Sequence, residues 1–191
     1  MTIASTQFIA DCLRNPNNAA ILQRLPALDL PDAWLVAGCL FQTVWNLQTD
    51  AQPTAQINDY DLFYFDPTDL SAQAEAATAA RVAAEFAHLG VKVETVNQAR
   101  VHLWYPAYFG EPYSALGCSE EAIGRYLVAC TCVGLQPDAR AAQGYKLAAP
   151  RGLEDLYAGV LRPNWVHQVA LYERKCASYV ARLPHLTVRP A

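Results

Sequence analysis

Ile57-Asn58-Asp59-Tyr60-Asp61-Leu62-Phe63-Tyr64-Phe65 is the stretch from which the fold can be read. Aromatic residues crowd it and helix-starting signals are absent, so it predicts a strand. Alternate residues of a strand point to one side, which puts Asp59 and Asp61 together on one face where the strand leaves a polar loop. Neighbouring carboxylates repel each other, and this raises a pKa unless a cation sits between them. An otherwise apolar strand that carries such a cost points to a divalent cation with oxygen ligands, Mg²⁺ (or Mn²⁺).

Upstream, Trp34-Leu35-Val36-Ala37-Gly38 is a short continuous apolar run suited to a strand buried on both faces. Helical spacing begins directly after Gly38, with Leu40, Val44 and Leu47 on one side. A helix start offers unpaired N–H groups and partial positive charge, and glycine lets a phosphate approach the backbone. The plain alternative is that Gly38 only makes a tight turn. Thr49 to Asn58 is polar, contains Pro53 and reads as the loop into the acidic strand.

Downstream, Ser71 to Leu89 is alanine-rich and predicts a helix that Gly90 terminates. Val91 to Val96 alternates as a strand, and Arg100-Val101-His102-Leu103-Trp104 alternates again. Asn97-Gln98-Ala99 between them predicts a hairpin. Arg100 and His102 then share one face, and the hairpin puts them close to Glu94, an acid on a strand later than that of the acidic pair. Arg100 would then neutralise phosphate and His102 touch substrate. The bland readings are a Glu94–Arg100 ion pair and a hydrogen-bonded core histidine.

The flanks read as helical lead-in and tail. Ser5 predicts the cap of a helix through Leu13, and Asn15-Pro16-Asn17-Asn18 the cap of a second. The aromatic segment from Trp104 to Tyr113 reads as core or lid packing. Ser119-Glu120-Glu121 predicts a helix start, Ala129 to Leu135 and Tyr145 to Ala148 strands, Gly152 to Tyr157 a short helix, and Asn164 the start of a longer one. Arg151, Arg162, Arg174 and Lys175 read as solvated surface charges. The expected architecture is one α/β (α+β mixed) domain with a mixed sheet flanked by helices. Residues 1–30 form its lead-in, 34–135 its core and 145–191 a mainly helical C-terminal part.

With 191 residues, 53% of them hydrophobic, the chain can bury a sizeable core. A net charge of −4 argues against a broad basic surface for duplex nucleic acid. No apolar run is long enough to span a membrane, and the first residues show no secretory pattern, so a cytoplasmic location is expected. The six cysteines lack a C-x-x-C pair and read as reduced and mostly buried.

Leu35-Val36-Ala37-Gly38-Cys39, then Asn58-Asp59-Tyr60-Asp61-Leu62, then Val93-Glu94 resemble the pattern of the DNA polymerase β-like nucleotidyltransferase superfamily. The stretches Asp59 to Phe65 and Asn97 to Tyr105 are similar, more narrowly, to a family of bacterial nucleotidyltransferase-like proteins, over about residues 34–188. The resemblance implies metal-dependent transfer of an NMP group from an NTP to an acceptor that the sequence does not identify. It casts Asp59 and Asp61 as catalytic metal ligands, Glu94 as the third carboxylate, and Gly38 and Cys39 as the phosphate seat. Where the superfamily usually carries serine, Cys39 stands here; a thiol donates a weaker hydrogen bond, while the backbone contribution remains. Two other readings stay open: a catalytically silent relative that binds a nucleotide or protein, and a metal-dependent glycosyltransferase.

Overall fold

The computed structural model describes residues 4–141, 143–164 and 168–191. Helices α1 (Ser5–Leu13) and α2 (Pro16–Arg24) come first. Asn15 caps α2 as its sequence predicts, its side chain accepting from the N–H groups of Asn17 and Asn18. Ser5, by contrast, lies inside α1, and Ala4 at the cap position provides no side-chain bond.

Strand β1 (Trp34–Val36) leads into helix α3 (Gly38–Gln48), and strand β2 (Asp59–Tyr64) follows after the expected loop. That loop is tied to α3: Asn46 Nδ2 donates to Ala55 O at 2.8 Å and to Pro53 O at 3.2 Å. Helix α4 (Ala72–Phe86) is capped by Ser71, and Gly90 behind it takes φ 67°, a left-handed stop that suits glycine. Strand β3 (Lys92–Asn97) returns beside β2.

The expected hairpin does not form. β3 pairs parallel to β2, and Val101–Phe109 is helix α5. Asn97 makes the turn: its Oδ1 accepts from Asp66 N and Ala99 N, and its Nδ2 donates to Asp66 O. A short apolar alternation is compatible with either element type, and the crossover through α4 makes β2 and β3 parallel neighbours.

The remaining elements are α6 (Ser119–Ile123), β4 (Gly134–Pro137), β5 (Tyr145–Ala148), α7 (Glu154–Tyr157), β6 (Val160–Leu161), α8 (Val169–Arg182) and β7 (Thr187–Val188). Ala129–Thr131, expected to open a strand, is a short 3₁₀ turn, so β4 begins only at Gly134. The start of the last long helix was expected at Asn164; residues 165–167 lie outside the described residues, and α8 runs from Val169.

Five strands make a mixed sheet in the order β3-β2-β1-β4-β5, with β2 and β3 parallel and the other pairs antiparallel; β6 and β7 pair separately. Helices flank the sheet. Trp34, Leu35, Tyr60 and Leu62 of the sheet, Phe8, Ile21 and Leu22 of α1 and α2, and Leu40 and Trp45 of α3 are essentially inaccessible to solvent. No helix among the described residues is long and apolar enough to cross a membrane.

One polar knot joins the lead-in helices to the sheet. Asn15 Nδ2 donates to Thr43 Oγ1 at 3.0 Å and to Tyr60 Oη at 3.3 Å, while Asn18 Nδ2 donates to Cys39 O at 2.9 Å. Asn15→Ala removes a helix cap and the buried bonds to Thr43 and Tyr60 together, and should cost about 2–3 kcal/mol by urea unfolding. A loss below about 0.5 kcal/mol, the range of indifferent surface changes, would mean that the knot does not hold these layers together.

Candidate active site

In the β2–β3 pair, Asp61 lies opposite Glu94 and Asp59 opposite Lys92. Alternation turns Asp59, Asp61 and Phe63 to one face, while Tyr60, Leu62 and Tyr64 are buried on the other. Asp59, Asp61 and Glu94 each offer an oxygen, and all three oxygens lie within 4.8 Å of one another. Lys92 pairs with Glu94 at the exposed edge of the group. Burial pushes the Asp61 carboxyl up to about 7, and repulsion from Asp59 and Glu94 adds to it; Lys175 and Lys92 oppose the rise.

Beside the acids, β1 ends at Val36, Ala37 takes φ 62°, and α3 starts at Gly38. The positive φ therefore falls on a residue with a Cβ, a conformation that costs of order 1–3 kcal/mol and tends to mark functional turns. At Gly38 a Cβ would come within 2.9 Å of Gln42 Nε2, so the missing side chain makes room for Gln42. Gln42 in turn steers a cation: its Oε1 accepts from Arg182 Nη1 at 2.7 Å. Arg182 also donates to Gln56 O at 3.1 Å.

The thiol of Cys39 does not face this turn. It is fully buried and donates to Val36 O at 3.3 Å, and burial together with the nearby Asp61 carboxyl pushes it well up. Phosphate contact through that side chain is therefore a corrected expectation. What α3 can offer is backbone N–H groups, which the first turn of a helix leaves unpaired.

A cleft of about 500 Å³ gathers these parts, with Gly38, Asp59 and Asp61 on one wall and α8 on the other. From α8 come Lys175, Ser178, Tyr179 and Arg182, whose i, i+3, i+4, i+7 spacing defines one helix face. Lys175 Nζ and the Arg182 guanidinium both lie over the Tyr179 ring, at 5.4 and 5.7 Å. Lys175 is exposed, as its reading as a surface charge had it, and it also lines this cleft; Arg182 was not singled out at all. The signal was present as that helical spacing, but nothing local to α8 says which sheet it faces.

Arg100 and His102 are not brought to the cleft. Arg100 pairs with Glu75 of α4, and its Nε donates to Leu70 O at 3.2 Å. The expected Glu94–Arg100 pair is thus replaced by Lys92–Glu94 and Glu75–Arg100. His102 stands in the first turn of α5, with a buried Nδ1 that has no hydrogen-bond partner among the described residues. Both nucleotide-binding expectations depended on a strand that is a helix.

A solved NMR structure described as a CCA-adding enzyme head domain matches this fold with a TM-score of 0.79 at 24% identity, over 98% of this chain and 97% of that one. A tRNA-processing enzyme in an apo form aligns with a TM-score of 0.50 at 15% identity, over 88% of this chain and 44% of its own. The fold is thus shared with that CCA-adding enzyme head domain. Residues 23–188 match the family described as nucleotidyltransferase, and the chain belongs to that family. Among curated proteins, none matches.

The Asp61 proton gives a test of the site's electrostatics. Its folded pKa is raised, so the native state keeps a proton that the unfolded chain has released. Stability of the metal-free protein therefore falls as pH rises from about 4 to about 7 and stays low above that, a loss bounded at about 4 kcal/mol. Asp61→Asn abolishes the repulsion and should raise the Tm in EDTA at roughly pH 8, with a smaller gain or none near pH 4. A variant less stable than wild type at the higher pH would contradict this reading.

Proposed function

We propose that this protein transfers a nucleotidyl group from an NTP to an acceptor hydroxyl, with Asp59, Asp61 and Glu94 holding Mg²⁺ (or Mn²⁺). The observation that carries the reading is Asp59 and Asp61, with Glu94 grouped beside them, sharing one cleft with Lys175, Arg182 and the start of α3. The residues suit the ion: hard divalent cations take oxygen donors, and a cation would offset the burial and the carboxylate repulsion that together raise Asp61. When bound, such an ion neutralises phosphate charge and lowers the pKa of an oxygen nucleophile. Family membership favours nucleotidyl transfer over the sugar-nucleotide alternative.

The chain's own groups divide the remaining work. Lys175 and Arg182 neutralise triphosphate charge, and Gln42 keeps the Arg182 fork aimed along the wall. The first N–H groups of α3, which begins at Gly38, donate to phosphate oxygens. Asp59 and Asp61 fix the position of the charge these donors must complement, since both stand on a strand held between β1 and β3. Preorganised charge of this kind accounts for most catalysis of phosphoryl-type transfer.

Calorimetric titration with magnesium and ATP tests the assignment. Asp59→Asn and Asp61→Asn should each weaken magnesium-dependent ATP binding by at least about tenfold, and Arg182→Ala by about ten- to a hundredfold. Arg182→Ala should leave Mn²⁺ binding measured without nucleotide nearly unchanged. Equal ATP affinity in wild type and both carboxylate variants would refute the metal role.

A further inference from the structure

Beyond Asp61 and Glu94 the same sheet face turns apolar. Phe63 follows Asp61 by two residues, and Val96 lies opposite Phe63 on β3. Together they line a second cavity, of about 510 Å³, walled by aromatic residues of α5 and by α8. It adjoins the acidic cleft along Tyr126, Leu127, Lys175 and Ser178, which line both. Tyr105 packs against Phe109 and Tyr113 with centroids 4.5 Å away in each case, and Tyr126 stacks on Phe63 at 6.0 Å.

Two polar groups in this apolar wall point to a ligand. Gln98 is 3% exposed and lines the cavity, yet its side-chain amide bonds to no described residue. An amide brings both donors and an acceptor, so Gln98 offers a molecule in the cavity a hydrogen-bonding edge. Tyr126 Oη, buried at the seam of the two cavities, has no partner among the described residues either. At the rim, Arg174 stands next to Lys175, both exposed and positive.

Position decides what enters. Gly38, Gln42 and Arg182 line the acidic cleft and not the aromatic cavity, so these phosphate-binding groups lie to one side and the rings to the other, with Lys175 at the seam between them. In such displacements the attacking and leaving oxygens are roughly in line. Pyrophosphate leaving toward Gly38 and Arg182 requires the attacking oxygen to arrive from the opposite side. We infer that the aromatic cavity seats the acceptor, and that the acceptor is a small molecule with a flat ring, a hydrogen-bonding edge and an anionic group.

The rings take the ligand's faces, Gln98 its edge, and Arg174 with Lys175 its charge. The volume lies within the ordinary range for one small molecule. The net charge of −4 argues against a broad basic surface for a polynucleotide. This inference rests on the transfer reading above. On that reading the acceptor oxygen bonds to the α-phosphorus as the bond to pyrophosphate breaks, the electron pair leaving with pyrophosphate and the hydroxyl proton passing to solvent.

The probe is anilinonaphthalene sulfonate, a flat aromatic carrying one anionic group, titrated by fluorescence against the folded protein with and without saturating magnesium–ATP. Wild type should bind it at one site and keep it when ATP is present. Arg174→Glu, at an exposed position that does not threaten folding, and Tyr105→Ala should each weaken it by about tenfold or more. Competitive displacement by ATP would give the cavity to the nucleobase, and unchanged affinity in both variants would place the probe elsewhere; either overturns the proposal. α-Labelled NTP incubated with a cell extract, then separated into low-mass and RNA fractions, should leave its label in the low-mass fraction, and label in RNA also overturns it. The failures are separable: lost probe binding with intact magnesium–ATP binding removes the acceptor cavity alone, whereas the reverse removes the transfer reading.

Discussion

Charge repulsion among Asp59, Asp61 and Glu94 is the constraint on which the site depends. Three carboxylate oxygens held within 4.8 Å and partly shielded from water repel one another. The sheet enforces the crowding: Asp59 and Asp61 share a face through strand alternation, and the parallel register delivers Glu94 opposite Asp61. Tyr60 and Leu62, between and beside the acids, are anchored in the core and fix the strand's orientation.

That fixed charge explains the neighbouring features. The start of α3, with its partial positive end, arrives beside β2 because β1 pairs with β2 through Val36 and Asp61. α8 contributes Lys175 and Arg182 from the far end of the chain, and Gln42 links the two sides through Arg182. The fold can thus be understood as a frame holding negative charge at one place and distributing positive groups around it. Farther along β2 the charge gives way to Phe63 and a ring-lined cavity, so one strand face carries both a polar and an apolar half.

Much of this was legible in the sequence, for local reasons. The Asp-x-Asp alternation, the strand–glycine–helix order at Gly38, the Asn15 cap and the Gly90 stop are short-range signals, and the structure carries each. Glu94 was reachable because its strand alternates clearly, and it does join the acidic group. What failed depended on pairing between distant segments. Arg100 to Trp104 alternates well enough for a strand, but the Asn97 turn and the Arg100–Glu75 pair fix a helix start there instead. Cys39 occupies the expected position, yet rotation toward Val36 O buries its thiol. Lys175 and Arg182 show helical spacing, but only the tertiary arrangement of α8 reveals what that face opposes.

The most direct test of the central claim is the anomalous difference map of a crystal grown with Mn²⁺ and a non-hydrolysable NTP. The account predicts a peak bonded to oxygens of Asp59 and Asp61, with Glu94 adjacent and the phosphates extending toward Gly38 and Arg182. A peak elsewhere, or a bound triphosphate with no metal among these carboxylates, would contradict it.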